Sequence, residues 1–137
     1  MRIILVAILM LVLGCTKTAT PPSSFKTLAA KSPSIAGKTA YLASPFVTAG
    51  NRVYMVGHQD GSFPDLGWHI KGEMGGIWDH PIKLMDGFDL AVLHENDTLT
   101  LNNGDRFVNY PFTNMHEFAW AEKNLNIQRW QFVPDDT

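Results

Sequence analysis

The chain has 137 residues, enough for one domain and too few for two ordinary ones. Apolar residues make up 45% and charged residues 18%, which excludes a disordered or coiled-coil composition. The formal net charge of −2 argues against a nucleic-acid partner held by phosphate contacts, and the single cysteine excludes a disulfide framework, a CxxC zinc site and an iron–sulfur cluster.

Arg2 is followed by an unbroken apolar run over residues 3–13. An apolar helix needs about 20 residues to span a bilayer, so this run has the length of a signal-peptide core and not of a membrane anchor. It ends at Val12-Leu13-Gly14-Cys15, which resembles a bacterial lipobox, the cysteine becoming the diacylated first residue of the mature protein. Residues 1–14 are then a lipoprotein signal peptide, and lipid on Cys15 ties the protein to a membrane without crossing it. The plainer alternative is a secretory signal with an incidental cysteine. The lipoprotein reading places the protein in the bacterial cell envelope, lipid-anchored; the membrane and the face, periplasmic or outer-membrane, stay open.

Residues 15–38 hold the cysteine and a Ser-, Thr-, Pro-, Ala- and Lys-rich stretch without sustained period, the composition of a flexible tether. Residues 25–30 offer at most a turn of helix. From residue 39 onward, strand-like runs recur between Gly, Asn, Asp and Pro. They cover residues 41–47, 52–57, 88–94, 98–101 and 106–110, and a closing hairpin pairs 117–121 with 127–133 around Lys123, Asn124 and Leu125. Asn and Gly in the turns suit the positive φ of tight hairpins. Along the last strand, Gln128, Trp130 and Phe132 point one way and Arg129 and Gln131 the other, so one face needs covering. Trp120 and Trp130 read as core. The expectation is an all-β antiparallel sandwich over residues 39–137, left open to further pairing by the stop directly after a strongly patterned strand.

Residues 57–88 have a different texture. Seven of the 11 glycines lie here, with Trp68 and Trp78, His58, His69 and His80, and Asp60, Asp65, Glu73, Asp79 and Asp86. A loop of about 30 residues is uncommon and usually functional when ordered. A metal site has candidate ligands but neither HExxH spacing nor the alternating oxygen donors of an EF-hand. A glycosidase carboxylate pair, Glu73 with Asp79 or Asp86, needs a separation that spacing alone does not give. No GxSxG or phosphate loop is present. The third reading is a carbohydrate-facing or domain-facing surface, on which indoles stack on sugars or anchor an interface. Its candidate residues are Trp68, His69, Glu73, Trp78, His80 and Asp86, set against the bland reading of core tryptophans and surface histidines. No catalytic residue, metal or cofactor is assigned.

The runs GNRVYMVG (50–57), FPDLGWH (63–69), GEMGGIW (72–78) and HPIKLMDGF (80–88), with RWQFVP at 129–134, resemble the start of secreted bacterial proteins of the glycogen-debranching-like, six-hairpin glycosidase group. The resemblance covers about residues 40–137. It implies an N-terminal β-sandwich that precedes a catalytic (α/α)₆ toroid, the toroid lying beyond this sequence. The family's catalytic acids have no corresponding positions here. The chain is therefore expected to be the non-catalytic N-terminal portion of a lipid-anchored, carbohydrate-active protein, silent as an enzyme on its own. Segment 57–88 would face the substrate cleft or the toroid. The alternative is a free-standing periplasmic lipoprotein that binds a glycan or a protein partner.

Overall fold

A computed structural model describes residues 24–63, 74–111 and 113–134. The chain folds as an antiparallel all-β sandwich of two four-stranded sheets with a two-stranded ribbon beside them. One sheet contains β1 (Ile35–Ala36), β8 (Arg106–Tyr110), β9 (Thr113–Trp120) and β10 (Leu125–Gln131), in the order β1-β8-β9-β10. The other runs in sequence order through β2 (Pro45–Ala49), β3 (Val53–His58), β4 (Gly76–Asp79) and β5 (Ile82–Met85). The ribbon pairs β6 (Ala91–His94) with β7 (Asp97–Thr100). A short helix, α1 (Ser24–Lys31), and β1 lie within the stretch expected as tether. Ser32 Oγ donates to the Leu28 carbonyl, and Pro33 cannot continue the helix.

The sheets face each other through alternating residues. In register, Phe107, His116 and Arg129 form one inward row, and Asn114 and Gln131 the next, with exposed Asn109 at its end. From the other sheet come Phe46, Thr48 and Met55. The Phe46 ring lies 5.5 Å from Phe107 and 5.1 Å from His116, centroid to centroid. Asn114 Nδ2 donates to Thr48 Oγ1, and Gln131 Nε2 to Met55 Sδ at 3.4 Å. Leu42, Phe63, Ile77, Phe88 and Val133 close around this centre.

The alternation along β10 is as expected, but the inward face is the opposite of the one the tryptophan suggests. Arg129 and Gln131 are buried, Trp130 is half-buried on the opposite face of the sheet beside the buried Val108 and Met115, and Phe132 is 58% exposed. Trp120 is half-buried too. The reversal is possible because the Arg129 guanidinium finds two carbonyl partners. Arg129 Nη1 donates to the Leu101 carbonyl at 2.9 Å and Nη2 to the Gly61 carbonyl at 2.8 Å, while its plane lies over Phe88 and Phe118.

Segment 57–88 is not one long loop. It contains β4 and β5, a hairpin of four-residue strands turning at the cis His80–Pro81 bond. Gly76 takes φ +107°, and a Cβ there would collide with the Met85 carbonyl, so only glycine starts this strand so close to its neighbour.

Candidate functional site

Cys15, Asp65 and, of the six candidate surface residues, Trp68, His69 and Glu73 lie outside the described residues. The other three belong to the β4–β5 hairpin or its exit. The pairing Trp78↔Lys83 is followed by Ile77↔Met85, so Leu84 is an extra residue on β5 and the strand bulges there. The bulge keeps Ile77 against the core while Trp78 pairs with Tyr54 on the outer face.

There the Tyr54 and Trp78 rings lie parallel within 4°, centroids 6.4 Å apart. Trp78 Nε1 donates to the Gly75 carbonyl at 3.2 Å. Lys83 Nζ sits 5.5 Å from the Trp78 ring and 2.7 Å from Asp86 Oδ1. Asp86 thus reaches Trp78 through Lys83, although its own side chain is 93% exposed. Arg52 pairs with Asp79 at 3.4 Å nearby. His80 stands exposed at the turn, the opposite end of the hairpin from Asp86. The hairpin therefore links Trp78 to Asp86 through Lys83, while His80 lies at its turn. Among the described residues no three of His, Cys, Asp and Glu converge as metal ligands, and no helix is long and apolar enough to cross a membrane.

A second feature lies where the sheets part. A cleft of about 340 Å³ opens between Val53, Met55 and Ile77 on one sheet and Gln131 and Val133 at the end of β10, with Phe88 beneath. Its lining is mainly apolar. Gln131 is 6% exposed and its Oε1 has no hydrogen-bond partner. Residues 133 and 134 cross from β10 to the β2–β3 turn, where they pack against Gly50 so closely that a Cβ there would lie 2.7 Å from the Pro134 carbonyl oxygen. Sequence reasoning missed this cleft, because its walls come from three distant stretches of chain. It also missed Tyr54 and Lys83 as neighbours of Trp78; the usable signal was the apolar GIWD and IKLM runs on either side of His80-Pro81.

Among the described residues, the largest electrostatic perturbations lie at buried His116 and Arg129. Burial, and after it the Arg129 guanidinium, push His116 down to about 3. Burial lowers Arg129 to about 10, against the opposing pull of Asp60 and Asp89. Burial also lowers His58, with Asp60 opposing. Both imidazoles are thereby held neutral near pH 7, and His116, wedged between Phe46 and Phe107, works as a packing group.

The chain matches no family model, no curated protein and no solved structure.

Proposed function

We propose that this chain is a non-catalytic β-sandwich module of a lipid-anchored, carbohydrate-active protein of the glycogen-debranching-like kind, and that it docks a helical catalytic (α/α)₆ body. The observation that carries this reading is the apolar surface along the open side of the sandwich. The cleft between the sheets is apolar, Phe132 stands at its rim, and the β5 edge exposes Ile82, Leu84 and Met85. Exposed apolar surface of this kind marks an interaction site. Lipid on Cys15 would hold the module at the envelope membrane, with no nucleic acid involved.

Direct sugar stacking on Trp78 is the weaker use of that residue. A sugar ring needs an open aromatic face, whereas here Lys83 lies over the indole and the indole N–H is already bonded to Gly75. The second reading, a free-standing glycan-binding lipoprotein, rests on the parallel Tyr54–Trp78 pair. One pair of measurements separates the two. The isolated chain should release no reducing sugar from α-glucans and should not be retarded in a glucan-containing native gel. Retardation abolished by Trp78→Ala would establish the glycan-binding reading instead, and turnover would overturn the silent part of the first.

A further inference from the structure

We infer that the stretch from α1 through β1 to Tyr41 is a contact surface for anionic lipid headgroups, so that the sandwich meets a negatively charged bilayer through its β1 edge. The inference rests on the lipid-anchored reading above for bringing the chain to a membrane. It adds the chemistry of the lipid and the side of the molecule that meets it. Charge is divided unevenly along the chain. All 13 Asp and Glu lie at or beyond residue 60, whereas six of the 11 Lys and Arg precede it. Residues 15–59 thus carry five basic residues and no acid, and residues 60–137 carry five against 13. The net charge of −2 hides this division, which makes the N-terminal part of the chain an attractor for anions.

The fold keeps that part on the surface. Lys26 and Lys31 on α1 and Lys38 beyond β1 are exposed. Lys31 and Lys38 join none of the ion pairs among the described residues. Apolar side chains alternate with the lysines: Leu28, Ile35 and Tyr41 are exposed, Ile35 to 74%. The hollows on either side of Ile35 are lined by no acidic residue. Lysines interleaved with exposed apolar groups suit a bilayer interface, where ammonium groups meet headgroup phosphates and apolar groups enter the acyl boundary. A nucleic acid offers phosphates without that apolar layer beneath. In the order β1-β8-β9-β10, the β1 edge lies three strands, about 14 Å, from β10 and the cleft. Contact at the β1 edge therefore leaves the cleft to a second body, and the acidic remainder of the chain is repelled by the same lipid.

The test is co-sedimentation with vesicles, using the full chain as Cys15→Ser so that no acyl group contributes. One set of vesicles is phosphatidylcholine alone, the other an equal mixture of phosphatidylcholine and phosphatidylglycerol. The apolar run at residues 3–13 acts on both sets and cancels in the ratio of affinities. The anionic vesicles should bind the chain more tightly, and the preference should vanish in about 1 M salt, where the screening length is about 3 Å. Lys31→Gln and Lys38→Gln should each lower the preference about fivefold, the worth of one ammonium at an anionic surface. Lys123→Gln, which removes the same charge from the β9–β10 turn, should leave it unchanged. Equal binding of the Cys15→Ser chain to both lipids, or an equal loss in Lys123→Gln, would overturn the proposal. Lysine-dependent binding to a DNA duplex without a preference for the anionic vesicles would overturn it too. Far-UV circular dichroism checks that the variants fold; if one does not, the lipid and salt comparisons on the Cys15→Ser chain decide alone. No acyl group is present in the assay, so a failure here is distinct from an absence of lipid on Cys15.

Discussion

Arg129 shows what a single buried residue does in this fold. Its guanidinium ties the Gly61 turn and the Leu101 turn to the centre of β10, and its flat faces cover Phe88 and Phe118. Lysine has no planar fork, and its compact ammonium does not span two carbonyls that Nη1 and Nη2 bond separately. Arg129→Lys should therefore lower the unfolding free energy by about 2–4 kcal/mol in urea denaturation, since it orphans a buried carbonyl and loses the stacking. Gly61 is coupled to the same place. It takes φ +91°, and a Cβ would lie 2.6 Å from Arg129 Nη2. Gly61→Ala should destabilise by about 1–3 kcal/mol, read in the same assay. The pH dependence follows from His116. The unfolded chain takes up its proton near 6.5, whereas the folded chain does not until about 3. The unfolded state thus binds more protons between those values, and stability is full above about 6.5 and falls as the pH drops through that window. Burial of His58 acts in the same direction. His116→Leu should remove a loss on the order of 2 kcal/mol between pH 7 and pH 4.5, measured by urea denaturation at both.

Among the elements, the β4–β5 hairpin does most to set the surface. Its bulge exposes Leu84, 56% accessible, on a short edge strand beside Ile82 and Met85. Such an edge invites pairing with other chains. Leu84→Lys should reduce self-association, seen as a shift toward monomer in sedimentation velocity, with a thermal midpoint within a few degrees of the parent, because an exposed site far from the core changes stability little. The strands with alternating, β-branched or aromatic composition were legible in sequence: 106–110 matches β8, and the closing hairpin matches β9 and β10 with Asn124 left-handed at φ 47°. The β4–β5 hairpin was not legible. Its strands are four residues long, too short for a period to declare itself, and the glycines beside them read as loop. The inward face of β10 was misleading for a different reason. Hydropathy assigns Trp130 and Phe132 to the core, but residues distant in sequence, Leu101, Gly61 and Met55, accept hydrogen bonds from Arg129 and Gln131 in the interior. Of the candidate site, Trp78 and Asp86 were legible as residue types; Lys83 joining them was not, because the link depends on the bulge register.

At the scale of the whole molecule, the two sheets cohere through an aromatic and polar-laced centre at Phe46, Phe107, His116, Asn114 and Thr48, yet part at the end of β10. A sandwich built this way holds itself together and still offers an apolar cleft and edge to a second body. Interfaces with an apolar centre of this kind bury on the order of 1,600 Å² in total. The most direct measurement is sedimentation equilibrium of the chain mixed with a separately produced (α/α)₆ toroid of the glycogen-debranching-like group, with sugar release followed in the same mixture. The account predicts a one-to-one complex, with turnover in the mixture and none from the chain alone. Two species that sediment independently, or turnover by the chain without the toroid, would contradict it.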